Sequence, residues 1–272
     1  MIALTWLYAP ADRPDLVAKA LAGPADVVII DLEDAVAKAA KDAARTRLPD
    51  LLAAHPGRPV QVRVNAPGTP WAEDDLRAVA ALGDAVEVRV PKVESPDQVE
   101  RIHATVRRPI HALLETPLAI ERAFEIAGSG VASLGLGEAD LRSALGVGSS
   151  ADLGWQRARV VNAAAAAGLT PPAMSVYAQV SDADGLAASC RTGRAAGFLG
   201  RAAIHPRQLP VIVAAFLPTP EETARARGIV DGFAAANEAG GGTFVMPDGT
   251  FIDVAMIRAA RRTLELGERA DA

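Results

Sequence analysis

Short apolar, β-branched runs recur along this chain at nearly even intervals, at residues 5–8, 26–31, 59–64, 85–90, 110–114, 131–135, 174–180 and 198–204. Amphipathic or alanine-rich stretches separate them, at residues 14–21, 41–54, 71–82, 96–105, 117–127, 156–167 and 182–196, each long enough to return across a sheet as a helix. Strands joined through helices pair in parallel, and eight such units predict an α/β fold of the (β/α)8 TIM-barrel kind. An open doubly wound sheet has the same periodicity but gathers its ligands at one crevice, whereas here polar residues follow nearly every run. No glycine-rich dinucleotide fingerprint or phosphate loop follows the first run. With 272 residues, half of them hydrophobic, residues 1–217 can bury one large core as a barrel catalytic domain.

Residues 218–272 leave the repeat. A helix is expected through about residue 237, then Gly240-Gly-Gly, then two β-like arms around Pro247-Asp248-Gly249, then a second helix to about residue 267. Pro-Asp-Gly between such arms reads as a tight hairpin. A helix-hairpin-helix extension has no place in a barrel wall, so it is expected to form a lid or an arm reaching a neighbouring subunit; a surface decoration is the alternative.

Charge and cysteine content remove several function classes. A formal charge of −5, with acids and bases interspersed, offers no broad basic surface, so neither nucleic acid nor membrane is an expected partner. The lone Cys190 has no internal partner, and the beginning of the chain shows neither a basic leader nor a long apolar run. A cytoplasmic location is expected.

The chemistry gathers after the runs. Glu115 directly follows the run 110–114, and Asp140 comes shortly after 131–135. An unpaired carboxylate beside a core costs several kcal/mol, so acids at consecutive strand ends point to a cation. Asp31, Glu33 and Asp34 crowd the end of the second run, Arg63 closes the third, and Lys92 follows the fourth. His205-Pro206 ends the last run; the proline's restriction of the preceding residue favours a loop-shaping role over that of a general base. Cys190 reads as a small buried hydrophobe.

In order along the chain, Leu7-Tyr-Ala-Pro-Ala-Asp-Arg13-Pro, Asp31-Leu-Glu-Asp-Ala-Val36, Val62-Arg63-Val-Asn65, Pro91-Lys92-Val-Glu-Ser95, Leu114-Glu115-Thr116-Pro117, Gly137-Glu-Ala-Asp140-Leu141, Ala203-Ile-His205-Pro206 and Asp248-Gly-Thr-Phe-Ile-Asp253 resemble the HpcH/HpaI aldolase and citrate lyase beta-subunit family, in particular its citrate-lyase-beta-like branch. The resemblance implies a Mg²⁺-dependent carbon–carbon lyase acting on hydroxyacyl-CoA thioesters of the malyl-CoA or citramalyl-CoA kind, with CoA as part of the substrate and a keto acid as the other ligand. By matching motif, Glu115 and Asp140 would hold the metal and Arg63 would grip the small acid. Arg13 would contact substrate or a CoA phosphate, with a plain helix-start arginine as its alternative. From the residues themselves, Lys92 either touches substrate or holds the acid cluster in an ion pair, Gly137 and Glu138 stand where substrate would bind, with a solvent-facing Glu138 as the alternative, and Asp31, Glu33 and Asp34 would orient Arg63, Arg13 or a metal-bound water. Asp253 would be the acid–base group, entering a neighbour's site in a homotrimer or a multiple of trimers; a turn-stabilising aspartate is its alternative.

Gln179 departs from the pattern, because many members carry an acid there before the closing Asp182. The departure leaves the keto acid and acyl group open. A citrate lyase beta subunit working on a carrier-linked citryl thioester, a free-acid aldolase, and a non-catalytic metabolite-binding barrel are the other expectations that this sequence allows.

Overall fold

The computed structural model describes residues 2–238 and 240–270, which fall into two compact units, residues 3–213 and residues 214–270 together with residue 2. In the first unit, seven parallel strands form one curled sheet: β1 (Thr5–Pro10), β2 (Val27–Asp31), β3 (Val60–Arg63), β4 (Val86–Val90), β5 (Ile110–Leu114), β6 (Ser133–Leu136) and β7 (Arg201–Ala203), in the order β6-β5-β4-β3-β2-β1-β7. Helices cover the outer face, where Val28, Ile30, Val62, Val88, Ile110, Ala112 and Leu114 are buried. Period-2 alternation sends the intervening residues inward. Register then stacks Gln61 beside Glu87, Arg63 beside Arg89, Arg89 beside His111, and His111 beside Ser133, so the inner face is polar along four strands.

The run 174–180 does not form the expected strand. Only Ala173 and Met174 make parallel bridges, to Gly135 of β6 and Arg201 of β7. Beyond them, side chains take the carbonyls that a ladder would use: Arg201 Nε donates to Ser175 O at 2.8 Å, and Gln208 Nε2 donates to Tyr177 O at 2.8 Å. Two helices are also shorter than the periodicity suggests. Residues 41–54 divide into Lys41–Thr46 and Leu48–Ala53, where Pro49 starts a new first turn, and residues 117–127 divide at Arg122. A helix absent from the sequence reading, Glu138–Leu145, follows β6 and ends on left-handed Gly146.

The second unit holds a helix at Pro220–Glu238, an antiparallel pair of β8 (Phe244–Val245) and β9 (Phe251–Ile252), and a helix at Val254–Ala270. Its own core joins Ala226, Ile229, Ile252, Ile257 and Ala260, with Phe233, Phe244, Met246 and Leu264 packed against them. The hairpin turns at Gly249, whose φ of 84° suits glycine, and Arg225 pairs with Asp248 across the turn. Among the described residues, no helix is long and apolar enough to cross a membrane.

Candidate functional site

The acidic turn after β2 is locked before any ligand is considered. Asp31 accepts from the backbone N–H of Glu33 at 2.9 Å and of Ala35 at 3.2 Å, which bends the chain over the strand end. Its two oxygens also accept from Arg63 Nε at 2.7 Å and Nη2 at 2.6 Å, because register places Arg63 directly opposite on β3. Tyr8 lies under the guanidinium, 5.0 Å from ring centroid to Cζ. Lys41 donates to the carbonyls of Leu32 at 2.8 Å and Glu33 at 2.7 Å, fixing the turn from below.

Glu33 then meets two cations. Arg63 Nη1 sits 2.8 Å from Oε2, an ion-pair contact outside hydrogen-bond geometry, and Lys92 Nζ donates to Oε1 at 3.1 Å. Burial still outweighs these cations and raises the Glu33 carboxyl above its usual range. Lys92 itself has a φ of 53°, an unusual left-handed backbone for a non-glycine residue, just past the end of β4. Its ammonium also lies 3.7 Å from Asp140 Oδ1, and the pull of Glu33 and Asp140 raises its pKa against the opposing effect of burial. Asp34 points mostly to solvent, 3.8 Å from Arg63.

Glu115 is the outlier. It follows β5, is 3% exposed, and its Oε2 is buried without a hydrogen-bond partner. Burial first, then the negative charges of Glu33 and Asp140, push its pKa up to about 7, with Arg63 and Lys92 pulling the other way. Gly137 makes this placement possible, since a Cβ there would overlap the Glu115 carboxyl group. Asp140 approaches from the first turn of the helix Glu138–Leu145, half-buried. Glu138, next to it in sequence, is fully engaged: Arg157 donates to both its oxygens at 2.9 and 2.7 Å, and Arg142 donates to Oε2 at 3.0 Å. These arginines hold its carboxyl below the usual range despite burial.

A cavity of about 390 Å³ opens among these groups, lined by Tyr8, Asp31, Arg63, Glu115, Gly137, Glu138 and Asp140. Arg89 lines it too. A larger cavity of about 500 Å³ lies between the helices Ala72–Ala80 and Pro96–Val106 but gathers no comparable set of acids. The strand-end cavity is therefore where the charged groups converge.

Of the residues expected at the site, Asp31, Asp34, Arg63, Glu115, Gly137, Glu138 and Asp140 line the cavity, and Glu33 and Lys92 adjoin it through ion pairs with Arg63 and Asp140. Arg13 does not line this cavity; it pairs with Asp15 at 3.1 Å on an exposed face. Asp253 belongs to the other compact unit, where its Oδ1 caps the helix Val254–Ala270 by accepting from Ala255 N at 2.9 Å and Met256 N at 3.3 Å. Gln179 is exposed on the irregular segment after Met174 rather than on a strand end. His205 Nδ1 accepts from Arg207 N at 3.1 Å, a turn contact, and buried Cys190 lies 3.5 Å from Arg201 Nη1.

Tyr8, Gln61, Arg89 and His111 were not anticipated. Glu87 accepts from Gln61 Nε2 at 3.4 Å and lies 2.7 Å from His111 Nε2, while His111 Nδ1 lies 2.8 Å from Ser133 Oγ. Burial lowers the His111 pKa. The signal was present in Val-Gln-Val-Arg-Val and Val-Glu-Val-Arg-Val, whose alternation sends every polar residue to one face.

A family model described as HpcH/HpaI aldolase/citrate lyase matches residues 4–206. The chain is 37% identical over 268 residues to a citrate lyase subunit beta-like protein of Mycobacterium tuberculosis, covering 95% of this chain and 93% of that one. It is 36% identical over 270 residues to a (3S)-malyl-CoA thioesterase of Cereibacter sphaeroides, covering 96% and 93%. Among solved structures, CitE from Mycobacterium tuberculosis in complex with magnesium, acetoacetate and coenzyme A superimposes with a TM-score of 0.83 at 34% identity, covering 98% of both chains.

Proposed function

Because the chain belongs to the HpcH/HpaI aldolase/citrate lyase family, we propose that it is a Mg²⁺-dependent lyase that cleaves a malyl-CoA- or citramalyl-CoA-type thioester into an acyl-CoA and glyoxylate or pyruvate. The carrying observation is Glu115: a buried carboxylate oxygen without a partner, facing two further acids. Among the described residues no preformed cage of three or more ligating side chains exists. That suits Mg²⁺, which takes one or two carboxylates and completes its shell with water and substrate oxygens. Glu115 and Asp140 would hold it. Once bound, it supplies a Lewis acid for the carbonyl oxygen that develops as the bond between the α and β carbons breaks.

The remaining work belongs to the chain's own groups. Arg63 is tied to Asp31 and Glu33, so it keeps the acidic turn in register while presenting its charge to the cavity. Lys92 stands between Glu33 and Asp140 and offsets the like-charge repulsion that would otherwise drive the two acids apart. Gly137 leaves room for Glu115 to face inward. The enolate left on the thioester side needs a proton, and Asp253 is the group proposed to give it, carried by the extension of residues 218–272 acting as a lid or as an arm from a neighbouring copy in a cytoplasmic homotrimer. The bridges from Ala173 and Met174 to the two edge strands support reading that segment as the eighth stave of a closed (β/α)8 barrel.

Purified protein with Mg²⁺ is expected to release glyoxylate from malyl-CoA or pyruvate from citramalyl-CoA, with the released keto acid and free CoA thiol followed separately. Keto acid without thiol marks cleavage alone; both together mark an added thioesterase step. Release of no keto acid from either substrate, with or without thiol, would contradict the reading.

A further inference from the structure

Arg89 is 7% exposed, lies on the inner face of the curled sheet at β4, and lines the same cavity as Glu115 and Arg63. Its Nε donates to Gln61 Oε1 at 2.9 Å, and Gln61 is in turn oriented by Glu87. Its Nη1 lies 3.5 Å from where a Cβ on Gly135 would stand, an ordinary contact distance, and the side chain that such a Cβ would displace is Leu113. Among the described residues, no carboxylate oxygen forms an ion pair with Arg89, whereas neighbouring Arg63 has Asp31, Glu33 and Asp34 around it. A buried cation with no acid partner is costly, and arginine cannot shed its proton as lysine can. The cavity thus has one guanidinium already neutralised in direct ion pairs and one that feels Glu115 and Glu87 only at longer range.

We propose that Arg89, rather than Arg63, is the principal binding group for the substrate's free carboxylate, so that this chain selects hydroxyacyl thioesters and keto acids bearing an anionic carboxylate at the cavity floor. The inference deepens the lyase reading and rests on it for the identity of the ligand. Gln61 aims the guanidinium, and the planar fork matches a carboxylate. Trp6, Leu113 and Met174, lining the same cavity, exclude water around the pair and strengthen it.

Calorimetric binding of pyruvate and of its neutral methyl ester, in Mg²⁺ buffer, tests this on the full chain without requiring turnover. The wild type is expected to prefer pyruvate, and R89Q to bind it at least about 30-fold more weakly while leaving methyl pyruvate within about 2-fold. R89K, which keeps a charge without the fork, is expected between the two. R89Q is also expected to melt no lower than the wild type, since it removes an unpaired buried charge. Unchanged pyruvate affinity in R89Q, or in folded R89K and R89M if R89Q melts early, would overturn the assignment. An Arg89-dependent preference for pyruvate in a protein that cleaves no acyl-CoA would sink the lyase reading and leave this one standing.

Discussion

Glu115 and Glu138 stand at neighbouring strand ends, both inside the protein, and their carboxyl groups are driven in opposite directions. Two arginines clamp Glu138 and lower its pKa; Glu115 faces Glu33 and Asp140 with one oxygen bare, and rises to about 7. The comparison separates a carboxylate used as a joint from one left poised for a ligand. Glu115 is the more deeply buried of the two, which adds to the rise, but the opposite directions come from where the cations are: burial alone would raise both.

The largest effect is expected where the joint is cut. Glu138→Ala leaves Arg142 and Arg157 facing one another with no counter-charge, and should lower stability by about 3 kcal/mol in urea denaturation. A loss under about 0.5 kcal/mol would remove the contrast. The pH dependence has a definite sign. The Glu138 carboxyl is depressed when folded, so its contribution is full above the ordinary glutamate pKa near 4.3 and is lost as pH falls through the folded value.

Glu115→Gln should do the reverse. With folded pKa above unfolded, the native state holds the extra proton between about pH 4.3 and 7, so stability falls as pH rises through that window. The glutamine variant of the Mg²⁺-free protein is therefore expected to gain about 2 kcal/mol at pH 8 and nothing at pH 4. A gain that persists at pH 4 would locate its cause in packing. Gly137→Ala should cost about 1–2 kcal/mol by displacing the Glu115 carboxyl, and unchanged melting with unchanged activity would show that Glu115 need not sit where it does. The smallest effect is expected at Asp253→Ala, about 1 kcal/mol from the lost helix cap. Its consequence for turnover should be far larger, and activity within 2-fold of wild type would reduce Asp253 to a cap.

One side of this contrast, Glu115, was legible in the sequence, and the other was not, for identifiable causes. Strand periodicity located seven of the strands, and the motif order pointed to Glu115, Asp140 and Arg63, which line one cavity, and to Lys92, which pairs with Glu33 and lies near Asp140 beside it. It did not reveal that Glu138 is spoken for, because Arg157 comes from a helix 19 residues away. The run at 174–180 misled because its apolar pattern suits a strand while Arg201 and Gln208 claim its carbonyls. Arg89 escaped notice for a different reason: an arginine inside a β run reads as solvent-facing until register shows that the inner face is polar.

Mg²⁺ titration of wild type, Glu138→Gln and Asp140→Ala, followed by calorimetry at pH 8, puts the division between joint and ligand most directly at risk. The wild type is expected to bind one ion per chain, folded Glu138→Gln to bind it within about 5-fold, and Asp140→Ala to lose at least about 100-fold while keeping its fold. Equal Mg²⁺ affinity in Asp140→Ala, or turnover that persists in the presence of excess chelator, would contradict the assignment of the strand-end acids to the metal.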